Sequence, residues 1–278
     1  VTPTVSATFV VDGLWVHRRI AGAHEPVVVF VHGAADRSAT FVRVARHLGD
    51  VTCVRYDRRG YAKSLLAGDP PAAAGSVVLA AQVDDVLAVV AACDAADSSR
   101  LVLAGHSHGA LIALAAAVRV PTVVGAVVAY EPPTPWLGLW GTGTGGGAAA
   151  RAAAATHSDD PDGDAMEAFL RRMIGDDRWQ ALGANVRAAR RAEGPALVAD
   201  LAAARAAGDV DLAGLDVPVV LGVGTATSAR HIAAVQWLGD HLPHAQTVVI
   251  DGADHGAHLT HPAEVADLVR AGLAHLAV

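Results

Sequence analysis

Ser107 stands in Gly105-His106-Ser107-His108-Gly109, the stretch of this 278-residue chain whose residue types and spacing most directly imply chemistry. Leu101-Val102-Leu103-Ala104 precedes it and Ala110-Leu111-Ile112-Ala113-Leu114 follows it. These flanks predict a buried strand, a sharp turn and a buried helix, the setting in which Gly-x-Ser-x-Gly forms a nucleophile elbow. A serine on so tight a turn sits in strained backbone, and a side chain two residues to either side would collide. The turn lifts the hydroxyl above the carboxyl edge of a sheet and aims the helix-start amides at any anion formed there. The implied chemistry is nucleophilic attack. A serine hydroxyl is inert at neutral pH without a neighbouring base, so a histidine is required.

Fourteen histidines are available. His255, His258 and His261 are spaced by three, a pattern that invites comparison with a metal site. Neither a glutamate-bearing metalloprotease motif nor a cysteine cluster accompanies them, so no metal and no cofactor are expected. His106 and His108 flank the serine and are expected to point away from or across the pocket. Cys53 and Cys93 lie in apolar stretches and read as buried small hydrophobes rather than a redox pair.

The elements that must position these residues are legible in the hydropathy pattern. Thr8–Val11 and Leu14–Arg18, joined by Asp12-Gly13, predict a hairpin. Val27–Val31 is a continuous β-branched run of the kind buried on both faces of a parallel sheet. Similar runs recur at Val51–Tyr56, Leu101–Ala104, Val123–Tyr130, Pro218–Val223 and Thr247–Ile250. Between them, helical periods run through Ala80–Val90, Ala110–Val118, His231–Leu242 and Pro262–Leu276. The alternation predicts an α/β fold with a doubly wound, mostly parallel sheet. From Pro132 to Leu215 no β-run occurs. That segment contains a low-complexity glycine tract at Gly141–Gly147, expected to be mobile, and helical patterns at Asp164–Ile174 and Gly194–Ala207. Residues 1–131 and 216–278 are therefore assigned to the core and 132–215 to a helical insertion over one end of the sheet. Arg171, Arg172, Asp176, Asp177, Arg190 and Arg191 in the insertion look like solvated faces.

Composition narrows the partners. A formal charge of −7 argues against nucleic acid, whose phosphates need a basic surface. The apolar runs are far shorter than the ~20 residues of a spanning helix, and Val1–Phe9 lacks the layout of a signal peptide. The expectation is a cytoplasmic monomer or homodimer acting on a small molecule, without nucleic acid or membrane.

With these motifs in place, the chain resembles the α/β-hydrolase superfamily over nearly its whole length. Val27–Phe41 is similar to the strand and oxyanion loop of that superfamily, and Val54–Ser64 to the loop after the next strand. Ala129–Pro133 and Ile250–Pro262 are similar to the ends of its sixth and eighth strands, and the insertion sits where the family carries its cap. The resemblance implies Ser107 as nucleophile, His255 as base, and the backbone amides of Ala34 and His108 as oxyanion hole. It implies that His32 braces backbone, and that Asp57 and Arg58 make structural hydrogen bonds. One element departs from the pattern. The loop after the seventh strand, Val223–Ala229, holds no carboxylate where the family usually takes its third triad member. Asp254 is covalently adjacent to His255 and Asp251 would need an unusual turn, so neither fits. The resemblance to certain haloalkane dehalogenases assigns the role to Glu131 at the end of the sixth strand, against the alternative that Glu131 only anchors the cap.

The expected function is cofactor-independent hydrolysis of an ester, thioester or lactone of a small apolar metabolite, because the insertion is rich in alanine. Two alternatives stay open: non-hydrolytic chemistry such as a cyclisation or elimination, and a binding protein built on the same fold. The same fold hosts all three, so fold alone does not choose.

Overall fold

The computed structural model describes residues 5–22, 25–67, 78–97, 99–138, 146–156 and 158–276. Eight strands form one sheet: β1 (Val5–Val11), β2 (Leu14–Ile20), β3 (Val27–Val31), β4 (Thr52–Tyr56), β5 (Leu101–His106), β6 (Ala126–Tyr130), β7 (Val219–Gly224) and β8 (Ala245–Ile250). Their spatial order is β1-β2-β4-β3-β5-β6-β7-β8. β2 pairs antiparallel with β1 and β4, and every pairing from β4 to β8 is parallel. The Asp12-Gly13 turn closes the first hairpin with both residues at positive φ, as a primed turn requires.

The helices of the sheet layers are α1 (Val42–Arg46), α2 (Ala62–Ala67), α3 (Leu79–Ala92) and α4 (His108–Arg119). Those between β6 and β7 are α5 (Gly146–Ala154), α6 (Pro161–Ile174), α7 (Asp176–Ala181), α8 (Ala184–Arg191) and α9 (Gly194–Ala206). The chain closes with α10 (Ala229–His241), α11 (Ala257–Thr260) and α12 (Pro262–Leu273).

Strand side chains alternate between two cores, because successive residues point to opposite faces of a sheet. Val27, Val29 and Val31 of β3 join α3, α4 and α10 on one face, while Val28 and Phe30 join α1 and α12 on the other. Both faces are covered, which is why all five residues of β3 are buried and the run reads as continuous rather than alternating. β6 begins three residues later than its apolar run suggests. Val123 instead donates its amide to Val120 in the turn that ends α4.

Among the described residues, 132–215 carries no strand. Its helices build a small cluster around Trp179, Met166 and Leu197, completed by Ala35 and Tyr61 from loops of the sheet layer. Only α6 and α9 of these helices are visible as hydropathy periods. α7 and α8 carry three charged residues each and bury one anchor each, Trp179 and Arg190. Gly146 and Gly147 open α5, while the rest of the glycine tract, 141–145, lies outside the described residues. Cys53 and Cys93 are both free and buried. Among the described residues, no helix is long and apolar enough to cross a membrane.

Candidate active site

Ser107 occupies the turn between β5 and α4 with φ 54° and ψ −124°, backbone that a side chain tolerates only under constraint. Its amide donates to the Tyr130 carbonyl at 2.9 Å, which ties the elbow to the end of β6. A Cβ at Gly105 would press into the backbone of Gly109 and Ala110, and one at Gly109 into the carbonyl of Val31. These close approaches explain both glycines by packing. Ala34 lies in the loop after β3, and His108 is the first residue of α4. Both line the same cavity as Ser107 and His255. Neither the Ala34 nor the His108 amide donates to a described residue.

His255, in the loop after β8, donates from Nδ1 to Glu131 Oε2 at 2.6 Å. Glu131 is completely buried and takes a positive φ of 47° at the end of β6, which turns its side chain toward the β7 and β8 loops. Its other contacts are the Gly224 amide on Oε1 at 3.0 Å and the Thr227 hydroxyl on Oε2 at 2.9 Å. The β7 loop, which lacks a carboxylate of its own, thus supplies two donors to this one. Asp254 caps the Gly256 amide and Asp251 accepts from Thr225, so both are engaged away from the His255 ring.

Two more histidines frame this pair, and sequence reasoning missed one of them. His231 of α10 stacks on the His255 ring, centroids 4.1 Å apart, with its Nδ1 3.8 Å from Glu131 Oε2. Burial and the charge of His255 push His231 down to about 2, so it is a neutral ring at working pH. His106 donates from Nε2 to the His255 carbonyl at 2.8 Å, while the Tyr130 hydroxyl holds the Asp254 carbonyl at 2.8 Å. The loop carrying His255 is therefore clamped from β5 and β6. The three-spaced histidines do not converge. His258 turns to Asp36 at 3.2 Å, and His261 pairs with Thr260. Donor atoms of Asp36, His106 and His258, and of Glu131, His231 and His255, come close enough to hold a divalent ion. In the second group an ion would displace the Glu131–His255 hydrogen bond.

The loop after β3 is held by a buried polar network. His32 accepts the Arg58 amide on Nε2 at 2.9 Å and meets the Gly33 carbonyl through Nδ1, a bracing role. Asp57 accepts the Ser38 and Lys63 amides. Arg58 forks onto Asp200 of α9 at 2.6 and 2.9 Å and also donates to the His32 and Gly33 carbonyls. Asp200 further accepts from Tyr61 at 2.7 Å and Gln82 at 2.6 Å. Burial opposes ionisation of Asp200, but Arg58 outweighs it and holds the carboxyl below the usual range. Since Gln82 gives its amide to Asp200, its oxygen faces His108 Nε2 at 2.7 Å, which fixes the proton on that nitrogen. Asp200 and Gln82 had no sequence signal: an aspartate and a glutamine inside apolar helices look like surface residues until the partner helix is placed. Arg190 corrects a sequence expectation in the same way. It is buried rather than solvated, pairing with Glu193 at 2.6 Å and donating to the Ala35 carbonyl.

The cavity above Ser107 holds about 220 Å³. Phe169, Met173, Leu201 and Ala204 supply apolar wall, in line with the alanine-rich insertion. Arg151, Arg205 and Arg230 also line it, which the expectation of an apolar site did not include.

A parallel sheet with an antiparallel hairpin at one edge, a serine elbow after β5 and a histidine after the last strand define an α/β-hydrolase architecture. The chain belongs to the Alpha/beta hydrolase family, whose family model it matches over residues 28–268. It is 30% identical over 128 residues to the Uncharacterized hydrolase YraK of Bacillus subtilis (strain 168), a match covering 46% of this chain and 44% of that protein. The chain thus spans less than half the length of that curated relative. Among solved structures, it is similar to the enol-lactonase from Burkholderia xenovorans LB400, with TM-score 0.69, 20% identity and coverage of 96% and 100% of the two chains. The esterase RhEst1 from Rhodococcus sp. ECU1013 gives TM-score 0.67 and 21% identity, covering 99% of each chain. The haloalkane dehalogenase DbeA from Bradyrhizobium elkani USDA94 gives 0.71 and 18%, also covering 99% of each. At such identities the likeness is one of fold.

Proposed function

We propose that this protein is a serine hydrolase that cleaves an ester, thioester or lactone of a small metabolite through an acyl-enzyme. Ser107 Oγ attacks the carbonyl carbon while His255 Nε2 takes the hydroxyl proton. Glu131 accepts the Nδ1 proton's hydrogen bond, holds the ring in the reactive tautomer and stabilises the imidazolium. The tetrahedral oxyanion is met by the amides of Ala34 and His108, donors that need no reorganisation when charge develops. Collapse expels the alkoxide or thiolate, which leaves with the proton from His255. Water, deprotonated by the same histidine, then attacks the acyl-serine, and the acid departs as Ser107 regains its proton. The segment 132–215 acts as the cap, its α5, α6 and α9 walling the substrate cavity.

The observation that carries this reading is the 2.6 Å hydrogen bond from His255 Nδ1 to a fully buried Glu131 beside the serine elbow. A structural anchor alone would not require a histidine on the cavity wall as its partner. The test is labelling by a fluorophosphonate together with turnover of p-nitrophenyl butyrate. Both are expected in the wild type, and Ser107→Ala should abolish both while circular dichroism stays unchanged. Turnover by Ser107→Ala near the wild-type rate would end the assignment.

A further inference from the structure

We propose that the substrate carries a carboxylate and that Arg151 and Arg205 select it; this rests on the hydrolase reading above. The chain has a formal charge of −7, yet three arginines from three different helices, α5, α9 and α10, line the cavity over Ser107. One carboxylate, Asp200, lines it with them. That charge is spent. Asp200 is forked by Arg58 and further bonded by Tyr61 and Gln82, so it forms no ion pair with Arg151 or Arg205.

Arg151 and Arg205 form no ion pair with any described carboxylate, whereas Arg171, Arg190 and Arg191 in the same insertion each meet one. Arg151 and Arg205 are both exposed, and partial desolvation together with the like charge of Arg205 disfavours the charged form of Arg151. Two cations lining one cavity, in a protein of opposite net charge, favour an anionic ligand there. A guanidinium pair matches a planar two-oxygen anion through forked hydrogen bonds, which a neutral ester cannot offer. Phe169, Met173 and Leu201 give the same cavity apolar wall. The fitting ligand is a short apolar ester, thioester or lactone with a carboxylate on its acyl or its alcohol part.

The test uses matched ester pairs with the intact chain. Monosuccinate p-nitrophenyl ester is compared with p-nitrophenyl butyrate, and 3-(butyryloxy)benzoate with phenyl butyrate. One of the charged esters should exceed its neutral partner in kcat/KM by about tenfold or more, the low end for a hydrogen bond to a charged group. That ratio should shrink as salt rises. It should approach one in Arg151→Met/Arg205→Met. Calorimetric binding of the same pairs to Ser107→Ala reads the preference without catalysis. If no ester is turned over and Ser107 is unlabelled, the hydrolase reading fails, while the binding ratio still decides this proposal. Equal or better handling of both neutral esters by the wild type would overturn it, as would a charged-ester preference that survives in the double variant.

Discussion

Replacing Glu131 by glutamine tests the catalytic acid at nearly constant shape. The Gly224 amide donates to Oε1 at 3.0 Å, so a glutamine must keep its oxygen on that side. Its NH₂ then takes the place of Oε2 and faces His255 Nδ1 and the Thr227 hydroxyl. An NH₂ can only donate, so Nδ1 must accept and the ring proton moves to Nε2. A histidine protonated on Nε2 cannot take the proton of Ser107. In a serine protease the corresponding acid-to-amide change costs about ten-thousandfold in turnover. At 1.36 kcal/mol per factor of ten, the expected loss of two to four orders of magnitude corresponds to about 3–5 kcal/mol of transition-state stabilisation. Folding should change little, because the Gly224 bond survives and the Thr227 hydroxyl can rotate to accept. The assay is steady-state hydrolysis of p-nitrophenyl butyrate with thermal melting alongside. KM should move far less than kcat, since the ground state loses no contact with substrate. A loss below about tenfold, with fold intact, would refute the tautomer argument and leave Glu131 as a cap anchor.

Arg58→Met should destabilise the fold by about 3–5 kcal/mol, because it strands the buried Asp200 charge. Thermal melting should drop by roughly 10 °C and recover in part in Arg58→Met/Asp200→Asn, and an unchanged midpoint would contradict the reading. Acid should also weaken the protein. His32 and His108 are held down to about 4, chiefly by burial, against an ordinary value of 6.5. As pH falls through 6.5 the unfolded chain takes up these protons and the folded one does not, so stability declines until pH approaches 4. The cost at pH 5 relative to pH 7 is about 2 kcal/mol for each histidine. Urea midpoints at the two pH values measure it, and identical midpoints would refute it.

Local sequence was sufficient for the sheet and the elbow. Continuous β-branched runs declare strands buried on both faces, and Gly105 and Gly109 bracket a serine whose neighbours leave no room for a Cβ. The position of Glu131 at the end of β6 was also legible, together with the missing carboxylate after β7. The hydrogen bond between Glu131 and His255 was not, because it joins residues 124 apart and depends on the backbone twist at Glu131. Longer-range partners were invisible for the same reason. Arg58 and Asp200 are 142 residues apart: the resemblance gave Arg58 structural hydrogen bonds without a partner, and Asp200 alone reads as an ordinary surface charge. His231 declared itself only by the stacking that α10 imposes, and Arg190 by burial on a helix with three arginines in eight residues. Apolar periodicity reports which face of an element is buried. It carries no information about which distant polar group will be waiting there, since that is decided when the insertion packs over the sheet edge.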